Sequence, residues 1–255
     1  MQIITVANQK GGVAKTTTAL NLGAGFDARG LKVLFIDLDA QTNLSYALAA
    51  DASGLTGHSS LDVLEHRATA AEAIQHTDHG DIIAASPALS GADAVLTQVG
   101  KEYRLREALE ELGDVYDYII IDTPPALGIL TINALTAADS CIIPSQADVF
   151  SLQGIGQLYN TIQTVRKYCN PRLQILGVLL TRFNPRAIIS REVAEMAATA
   201  ADGMGSRVFD ATIRECTALK EAQAMQANIY QYAPSSNAAA DYSALVEELL
   251  AREEE

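Results

Sequence analysis

Residues 3–22 read IITVANQKGGVAKTTTALNL, and the interpretation of the whole chain starts from this stretch. Its β-branched beginning is typical of a buried strand, and its end is typical of a helix. Between them, Gly11 and Gly12 allow the backbone to turn its N–H groups inward around an anion. The helix N-terminus and Lys15 add positive charge there, and the Thr16 hydroxyl can ligate Mg²⁺. The stretch therefore predicts a phosphate site for a nucleoside triphosphate with Mg²⁺.

Strand and helix patterns alternate along the rest of the chain. Runs that are apolar on both faces are expected of strands in a parallel sheet covered by helices on both sides. Such runs predict strands at residues 2–7, 32–38, 81–85, 118–122, 140–144 and 174–180. Helical patterns lie at residues 15–28, 101–112, 154–168, 190–201, 218–227 and 238–252. This order predicts an α/β fold with a doubly wound, mostly parallel sheet, whereas residues 49–77 are expected to form an irregular, mobile excursion.

Length and composition favour one domain. With 255 residues, of which 49% are hydrophobic, residues 1–255 are expected to form a single domain with a substantial core. No apolar run approaches the roughly 20 residues that span a bilayer, so we expect a cytoplasmic protein. Cys141, Cys169 and Cys216 have no CxxC spacing and are odd in number, which indicates ordinary reduced thiols.

Three aspartates stand at the ends of predicted strands. Asp37 and Asp39 lie two residues apart, so on an extended chain both carboxylates point to the same side. Asp122 follows four apolar residues, at the position where a carboxylate holds a Mg²⁺-bound water. Parallel sheets bind ligands at the carboxyl ends of their strands, where these acids would face the nucleotide. Taken alone, Asp37 and Asp39 are equally compatible with two solvated acids at a strand end.

The loop sequence KGGVAKTT, residues 10–17, resembles the deviant Walker A motif KGGxxK[ST] of the ParA/MinD family of P-loop ATPases. The resemblance implies that ATP with Mg²⁺ is bound and hydrolysed. It also implies that Lys10 reaches across a dimer interface to the phosphates of the partner's nucleotide. Most members have glycine where this chain has Ala14, and a methyl group is accommodated there if the residue keeps a negative φ. The implied nucleotide contacts in the loop are Lys10, Gly11, Gly12, Val13, Ala14, Lys15, Thr16 and Thr17.

Other segments extend the resemblance over nearly the whole chain. DLDAQ at residues 37–41 resembles the family's DxD[PA]Q segment, with Gln41 and Asn43 in the switch region that follows. DTPP at residues 122–125 resembles the segment that carries the Walker B acid and the second switch, and IRECTALKEA at residues 213–222 resembles IRxNxxLxEA. The implied catalytic residues are Lys10, Lys15 and Asp39, of which Asp39 positions the attacking water. The implied Mg²⁺ site comprises Thr16, Asp37 and Asp122, and the implied base contacts are Arg182, Arg214 and Glu215.

The charge of the chain is unevenly distributed. A net charge of −13 argues against nucleic-acid binding by the chain as a whole. Residues 160–220, however, contain nine Lys/Arg against five Asp/Glu. In partition-type members of the resembled family, an ATP-dependent dimer presents basic residues to DNA without sequence preference. The corresponding candidates, if they share a face, are Arg182, Arg186, Arg191, Arg214 and Lys220, although each of them alone is better explained as a solvated or salt-bridged surface charge.

The resemblance is strongest to the short, Soj-like ParA proteins of chromosome and plasmid partitioning. It implies a homodimer that sandwiches ATP, binds DNA non-specifically in association with the nucleoid, and hydrolyses ATP slowly until a ParB-like partner stimulates it. One alternative is a membrane-cycling ATPase like MinD, but the acidic sequence DYSALVEELLAREEE at residues 241–255 would be repelled by anionic lipid, so no membrane partner is expected. Another is a related regulatory ATPase without DNA binding. A third alternative is a relative of nitrogenase reductase or of the bacterial tyrosine kinases. The former would need a pair of cluster-binding cysteines, and no cysteine here has a recognisable setting for that. The latter usually has a C-terminal tyrosine cluster, whereas Tyr230, Tyr232 and Tyr242 lie within patterned sequence.

Overall fold

The computed structural model describes residues 1–53 and 57–253 of the chain. The strands in this part are β1 Gln2–Val6, β2 Val33–Asp37, β3 Ile74–Thr77, β4 Gly80–Ile83, β5 Tyr118–Asp122, β6 Ser140–Gln146, β7 Gln174–Phe183 and β8 Ile213–Arg214. The α-helices are α1 Lys15–Asp27, α2 Asn43–Ala47, α3 Ser60–Leu64, α4 Ala70–Ala73, α5 Ala92–Val95, α6 Arg104–Leu112, α7 Ile129–Ala137, α8 Val149–Tyr168, α9 Ile188–Gly203, α10 Thr217–Ala224, α11 Ile229–Tyr232 and α12 Asn237–Glu253. Short 3₁₀ helices lie at Pro87–Gly91 and Lys101–Tyr103.

The strands form one sheet in the order β3-β4-β2-β5-β1-β6-β7-β8. Neighbouring strands are parallel except for the antiparallel pair β3 and β4. β1 lies between β5 and β6, with Ile4 in register with Ile120 on one side and Ser140 on the other. The predicted doubly wound, mostly parallel sheet is therefore confirmed. The carboxyl ends of its parallel strands meet at one edge, where such sheets bind ligands.

Side-chain alternation along the central strands builds a core on each face of the sheet. In β5, Ile119 and Ile121 belong to the core formed with α6, α7 and α8, whereas Ile120 packs with α1 and α12 on the other face. All five residues of β5 are buried, as expected for a central parallel strand. The three cysteines are free thiols, as predicted, and burial raises the pKa of Cys141 to about 12. None of the helices, over their described residues, is long and apolar enough to cross a membrane.

The predicted strands and helices all occur, with ends shifted by a few residues, but some elements were not predicted. α7 has eight of its nine residues buried, so it lacks the one-sided apolar pattern by which a surface helix is recognised. The prediction that residues 49–77 form an irregular excursion is wrong for the part that the structure describes, while residues 54–56 lie outside it. α3, α4 and β3 are formed there, and capping boxes at Ser59 with Asp62 and at Thr69 with Glu72 define the two helix starts.

Candidate nucleotide site

A groove of about 590 Å³ lies at the carboxyl edge of the sheet, above the loop between β1 and α1. One wall comes from the loop and α1 and contains Gly11, Gly12, Ala14, Lys15, Thr16 and Thr17. The second comes from the ends of β7 and β8 and from α10, and contains Thr181, Arg182, Ile213, Arg214, Glu215, Cys216, Leu219, Lys220, Gln223 and Ala224. Asp39, Gln41, Asn43, Tyr46 and Pro125 complete the lining. The groove is large enough for a nucleotide and joins five parts of the sequence that lie apart in the chain.

Side chains from β6 and β7 hold the loop in place. Gln146 Nε2 donates to the carbonyl of Gly12 at 2.6 Å, and Thr181 Oγ1 donates to that of Val13 at 3.2 Å. At the start of the loop, Asn8 Nδ2 donates to the carbonyl of Pro144 at 2.7 Å while its Oδ1 accepts from the amide of Lys10 at 3.0 Å. These bonds engage two loop carbonyls and fix the loop against the neighbouring strands. The loop is thus organised by tertiary contacts as well as by its own glycines.

The condition under which a methyl group is readily accommodated at Ala14, a negative φ, is not met. Ala14 has φ 68° and ψ 33°, which is the left-handed conformation that favours glycine. The residue is the N-cap of α1, and its carbonyl accepts the first helical hydrogen bond from the amide of Thr18 at 2.9 Å. The loop must therefore reverse direction at this residue before the helix can start. For a residue with a Cβ, the left-handed conformation costs roughly 1–2 kcal/mol.

Lys15 places a buried positive charge beside the loop. The residue is only 7% exposed, and its Nζ donates to the carbonyl of Lys10 at 3.3 Å. Burial lowers the pKa of Lys15, while the negative charges of Asp122 and Asp39 act in the opposite direction. An ammonium group with so little access to water is stabilised by a neighbouring anion. The geometry suits a phosphate group held between Lys15 and the loop amides.

Thr16 and Asp122 meet at the end of β5. Thr16 Oγ1 donates to Asp122 Oδ2 at 2.6 Å, whereas Oδ1 of the same carboxylate is buried with no hydrogen-bond partner among the described residues. Burial raises the pKa of Asp122 well above its usual range, and the charge of Asp37 raises it further. A buried carboxylate oxygen in need of a partner, next to a hydroxyl, fits a hydrated Mg²⁺ ion.

Asp37 and Asp39 have different surroundings, so the expectation that they act from the same side of an extended strand is wrong. β2 ends at Asp37, whose carboxylate is fully buried beneath α2 and accepts from the amide and the hydroxyl of Ser45 at 2.9 and 2.7 Å. The amide of Asp39 donates to Asp37 Oδ1 at 3.0 Å, so the chain turns there. Asp39 then lines the groove. Burial raises the pKa of Asp37 to about 6.

Lys10 bonds within its own chain. Its Nζ donates to both carboxylate oxygens of Asp148 at 2.8 Å, and the two side chains are 30% and 34% exposed. Asp148 follows β6 and precedes α8. For Lys10 to reach a nucleotide on another subunit, as the sequence predicts, this ion pair has to open.

The structure divides the predicted base and DNA contacts between two locations. Arg182, Arg214, Glu215 and Lys220 line the groove. The Arg214 guanidinium donates to the carboxylate of Asp241 at 2.5 to 3.0 Å, so part of it is already engaged by α12. Arg186 and Arg191 are exposed and lie outside the groove lining. The five basic residues therefore do not form one surface separate from the nucleotide site.

Several residues of the groove were not predicted from the sequence. Tyr46 on α2 and Gln223 on α10 line the outer wall, and Gln223 Nε2 donates to Thr17 Oγ1 at 2.9 Å. No sequence pattern marks either residue, because each reaches the groove through long-range packing. Gln146 could have been found, since it stands at the carboxyl end of a predicted strand next to the loop strand.

Three comparisons relate the chain to known proteins. Residues 1–175 match the protein family described as an AAA domain. The chain is 38% identical to the chromosome partitioning protein ParA of Myxococcus xanthus, over 99% of this chain and 89% of that protein. It is 39% identical to the sporulation initiation inhibitor protein Soj of Bacillus subtilis, over 98% of each. The crystal structure of cobyrinic acid a,c-diamide synthase from Mycobacterium smegmatis with bound ATP analog and magnesium is similar, with a TM-score of 0.87, 36% identity, and coverage of 98% of this chain and 94% of that one.

Proposed function

Because this chain belongs to the ParA family of P-loop ATPases, we propose that it is a partitioning ATPase that binds ATP with Mg²⁺ and hydrolyses it. The observation that carries the proposal is the groove, which the loop, Lys15 and Thr16 line, with Thr16 bonded to the buried Asp122. Phosphate, metal and water-positioning groups are thereby available on one edge of the sheet. The related structure with an ATP analog and magnesium supports the same ligands here.

Phosphoryl transfer to water asks little covalent chemistry of the protein. The loop amides and Lys15 hold the phosphates, and Lys15 stabilises the charge that develops on them. Thr16 and Asp122 would hold Mg²⁺, which would supply positive charge to neutralise the phosphates. Asp39 lies at the groove wall, where it orients the attacking water. Both oxygens of Asp37 already accept hydrogen bonds from Ser45 and Asp39, so Asp37 acts on the metal through its charge rather than as a direct ligand.

We extend the proposal to assembly: ATP drives formation of a homodimer in which Lys10 reaches the partner's phosphates. Lys10 stands at the start of the loop and its side chain is 30% exposed, which supports this step. The names of the partitioning relatives support a ParB-like partner that stimulates hydrolysis and a dimer that binds DNA. Arg186 and Arg191, which are exposed outside the groove, are the residues best situated to contact DNA phosphates.

A membrane-cycling ATPase is disfavoured by the packing of α12. The apolar side of this helix is buried, with Tyr242, Leu245, Val246 and Leu249 between 0% and 4% exposed in the core shared with α1. A helix that binds a bilayer surface needs its apolar side free. Sedimentation with anionic vesicles and ATP separates the two functions, because a partitioning ATPase stays in the supernatant.

The test of the proposed function is the mass of the protein in solution. Size-exclusion chromatography with light scattering, with ATP, with ADP and without nucleotide, is run on the parent and on Lys10→Ala. We expect a dimer with ATP only in the parent, and a monomer in every condition for the variant. ATP turnover measured on the same samples tests hydrolysis separately. A parent that stays monomeric and releases no phosphate would contradict the proposal.

A further inference from the structure

Helix α10 connects the two ends of the groove. Its first part, with Leu219 and Lys220, lines the wall that follows β8. Gln223, one turn further along, donates to Thr17 Oγ1 on α1 at 2.9 Å. After the helix ends, Gln226 Nε2 donates to the carbonyl of Tyr46 on α2 at 2.9 Å. α10 therefore spans from the β8 side of the groove, across the first turn of α1, to the helix that follows Asp39.

Helix α2 depends on its neighbours for its position. It has only five residues, and isolated helices of this length are not stable in water. The residues that bracket it, Thr42 with φ 55° and Ala49 with φ 54°, are both left-handed without being glycine. Ser45 bonds it to the sheet by donating to Asp37, and Leu44 and Ala47 are buried in the core on the same face of the sheet. The position of α2, and with it the turn that carries Asp39, is consequently set by tertiary contacts on both sides.

Gln226 ends α10 in the left-handed conformation, with a φ of 52°. The amide of Ala227 donates to the carbonyl of Ala222 at 2.9 Å, a helix-terminating bond that holds this conformation. Besides the bond from Gln226 to the Tyr46 carbonyl, the Tyr46 hydroxyl lies 3.5 Å from the carbonyl of Ala224 in α10. The Tyr46 ring, 52% exposed, lines the groove between the two helices. The C-terminal end of α10 and helix α2 are thus joined by two hydrogen bonds, one donated from each side.

We propose that Gln226 and Tyr46 are positioning residues for hydrolysis. Through them, α10 fixes α2 and the Asp39 turn relative to Thr17 and the phosphate loop, so that occupation of the groove beside α10 is coupled to the placement of the water-positioning acid. Neither residue acts on the phosphates itself. This inference rests on the proposed ATP hydrolysis, in which Asp39 orients water.

Two substitutions of Gln226 test the connection. Gln226→Glu keeps the size of the side chain but replaces the amide donor with a carboxylate that cannot donate to the Tyr46 carbonyl. Gln226→Gly removes the side chain and relieves the left-handed strain, so a loss of function in it cannot be attributed to a strained fold. Gln174→Glu is the matched control, because it makes the same chemical change at an exposed position at the start of β7, at the opposite edge of the sheet.

The expected result is a separation of turnover from binding. A net hydrogen bond of this type corresponds to about a two- to tenfold change in an equilibrium. We expect both Gln226 variants to lower kcat for ATP by that factor, with KM for ATP and the Kd for ADP within twofold of the parent. Gln174→Glu should match the parent in all three. Unchanged kcat in both Gln226 variants, or a loss confined to KM and ADP affinity, would overturn the inference.

Hydrogen exchange separates this inference from the proposed function. In the parent with Mg²⁺ and ADP, amides of residues 44–49 should exchange more slowly than in Gln226→Glu and Gln226→Gly, by about the same two- to tenfold factor. If the parent proves to have no ATPase activity, the proposed function fails, and this comparison still decides whether α10 fixes α2. Equal exchange rates in parent and variants would overturn the connection even if the parent hydrolyses ATP.

Discussion

At the scale of single residues, Lys15 and Asp39 have different surroundings in the groove. Lys15 is buried against the loop, where its charge serves any bound phosphate, whether or not hydrolysis follows. Asp39 also lines the groove, in a turn that follows β2 rather than in the strand itself. Under the proposed function the two residues contribute to different steps, so substitutions at each should have different consequences.

The first prediction concerns Asp39. Asp39→Ala should retain ATP binding and ATP-driven dimerisation but lose turnover, since groups that handle the attacking water contribute roughly a hundredfold or more to rate. Lys15→Ala, by contrast, should abolish nucleotide binding. Binding is measured by calorimetry and turnover by phosphate release. Parental turnover in Asp39→Ala would show that another group positions the water.

The second prediction concerns Ala14. The left-handed conformation of this alanine costs roughly 1–2 kcal/mol. Glycine would remove this strain, but its greater freedom in the unfolded chain would offset part of the gain in stability. Ala14→Gly should therefore raise the free energy of unfolding by about 0.5–1 kcal/mol. Ala14→Val, which places a β-branched side chain in the same conformation, should lower it. Urea denaturation of the three proteins measures both changes, and a stabilised valine variant would be inconsistent with the strain.

At the scale of elements, the junction between β6 and α8 holds the Lys10 side chain through Asp148. β6 contributes Gln146 to the loop, and the chain then passes Asp148 before α8 begins. The ion pair between Lys10 and Asp148 is partly exposed, so it holds the lysine within its own subunit at a modest energy.

The third prediction follows from this junction. If Lys10 must leave Asp148 to reach a partner's nucleotide, Asp148→Asn should favour the ATP-bound dimer, by up to about fivefold per subunit for a pair worth about 1 kcal/mol. Asp148→Glu keeps the negative charge and serves as the control. The dimer dissociation constant with ATP is measured by light scattering over a range of concentrations. A weaker dimer in Asp148→Asn than in the parent would contradict the prediction.

At the scale of the whole molecule, the distribution of charge decides where DNA could bind. The chain carries a net charge of −13, and its positively charged segment is split between the groove and the exposed start of α9. Binding to DNA by such a protein depends on few phosphate contacts and on the charge that surrounds them.

The fourth prediction concerns DNA. The ATP-bound protein should shift duplex DNA of unrelated sequence at low salt, and the shift should weaken as salt rises because phosphate contacts release counterions. Arg186→Ala with Arg191→Ala should weaken binding while ATP affinity stays unchanged, since neither residue lines the groove. Gel shifts over a salt series measure the effect. A DNA affinity unchanged by the double substitution would assign the contact to other residues.

The fifth prediction concerns pH. Burial raises the pKa of Asp37 from 3.8 to about 6, and it raises that of Asp122 as well. A carboxyl whose pKa is raised by folding contributes stability that is complete below its unfolded pKa and is lost as the pH rises through the folded pKa. Without nucleotide and Mg²⁺, the contribution of Asp37 to the free energy of unfolding should therefore fall between about pH 4 and pH 6.

Urea denaturation across this pH range measures the effect. Asp37→Asn should reduce the dependence on pH because the residue no longer ionises, while the exposed Asp202→Asn should retain the slope of the parent. The same slope in Asp37→Asn and in the parent would exclude Asp37 as its source.

The sequence alone determined the phosphate loop, the mostly parallel sheet and the longer strands that form it. These features are local: Lys10 to Thr17 are consecutive, and the apolar runs of β1 and β5 specify buried strands without reference to the rest of the chain. The short elements, such as β8 with two residues, carried too little pattern to be predicted.

Only the tertiary structure decided which distant side chains meet in and around the groove. It separated Asp37 from Asp39, forced Ala14 into a positive φ, and joined Lys10 to Asp148 across 138 positions of sequence. It also brought Tyr46 and Gln226 together across 180 positions. The physical reason is that such contacts depend on where separate elements cross in space. A periodic pattern fixes the face that an element buries, but not which distant side chain it meets.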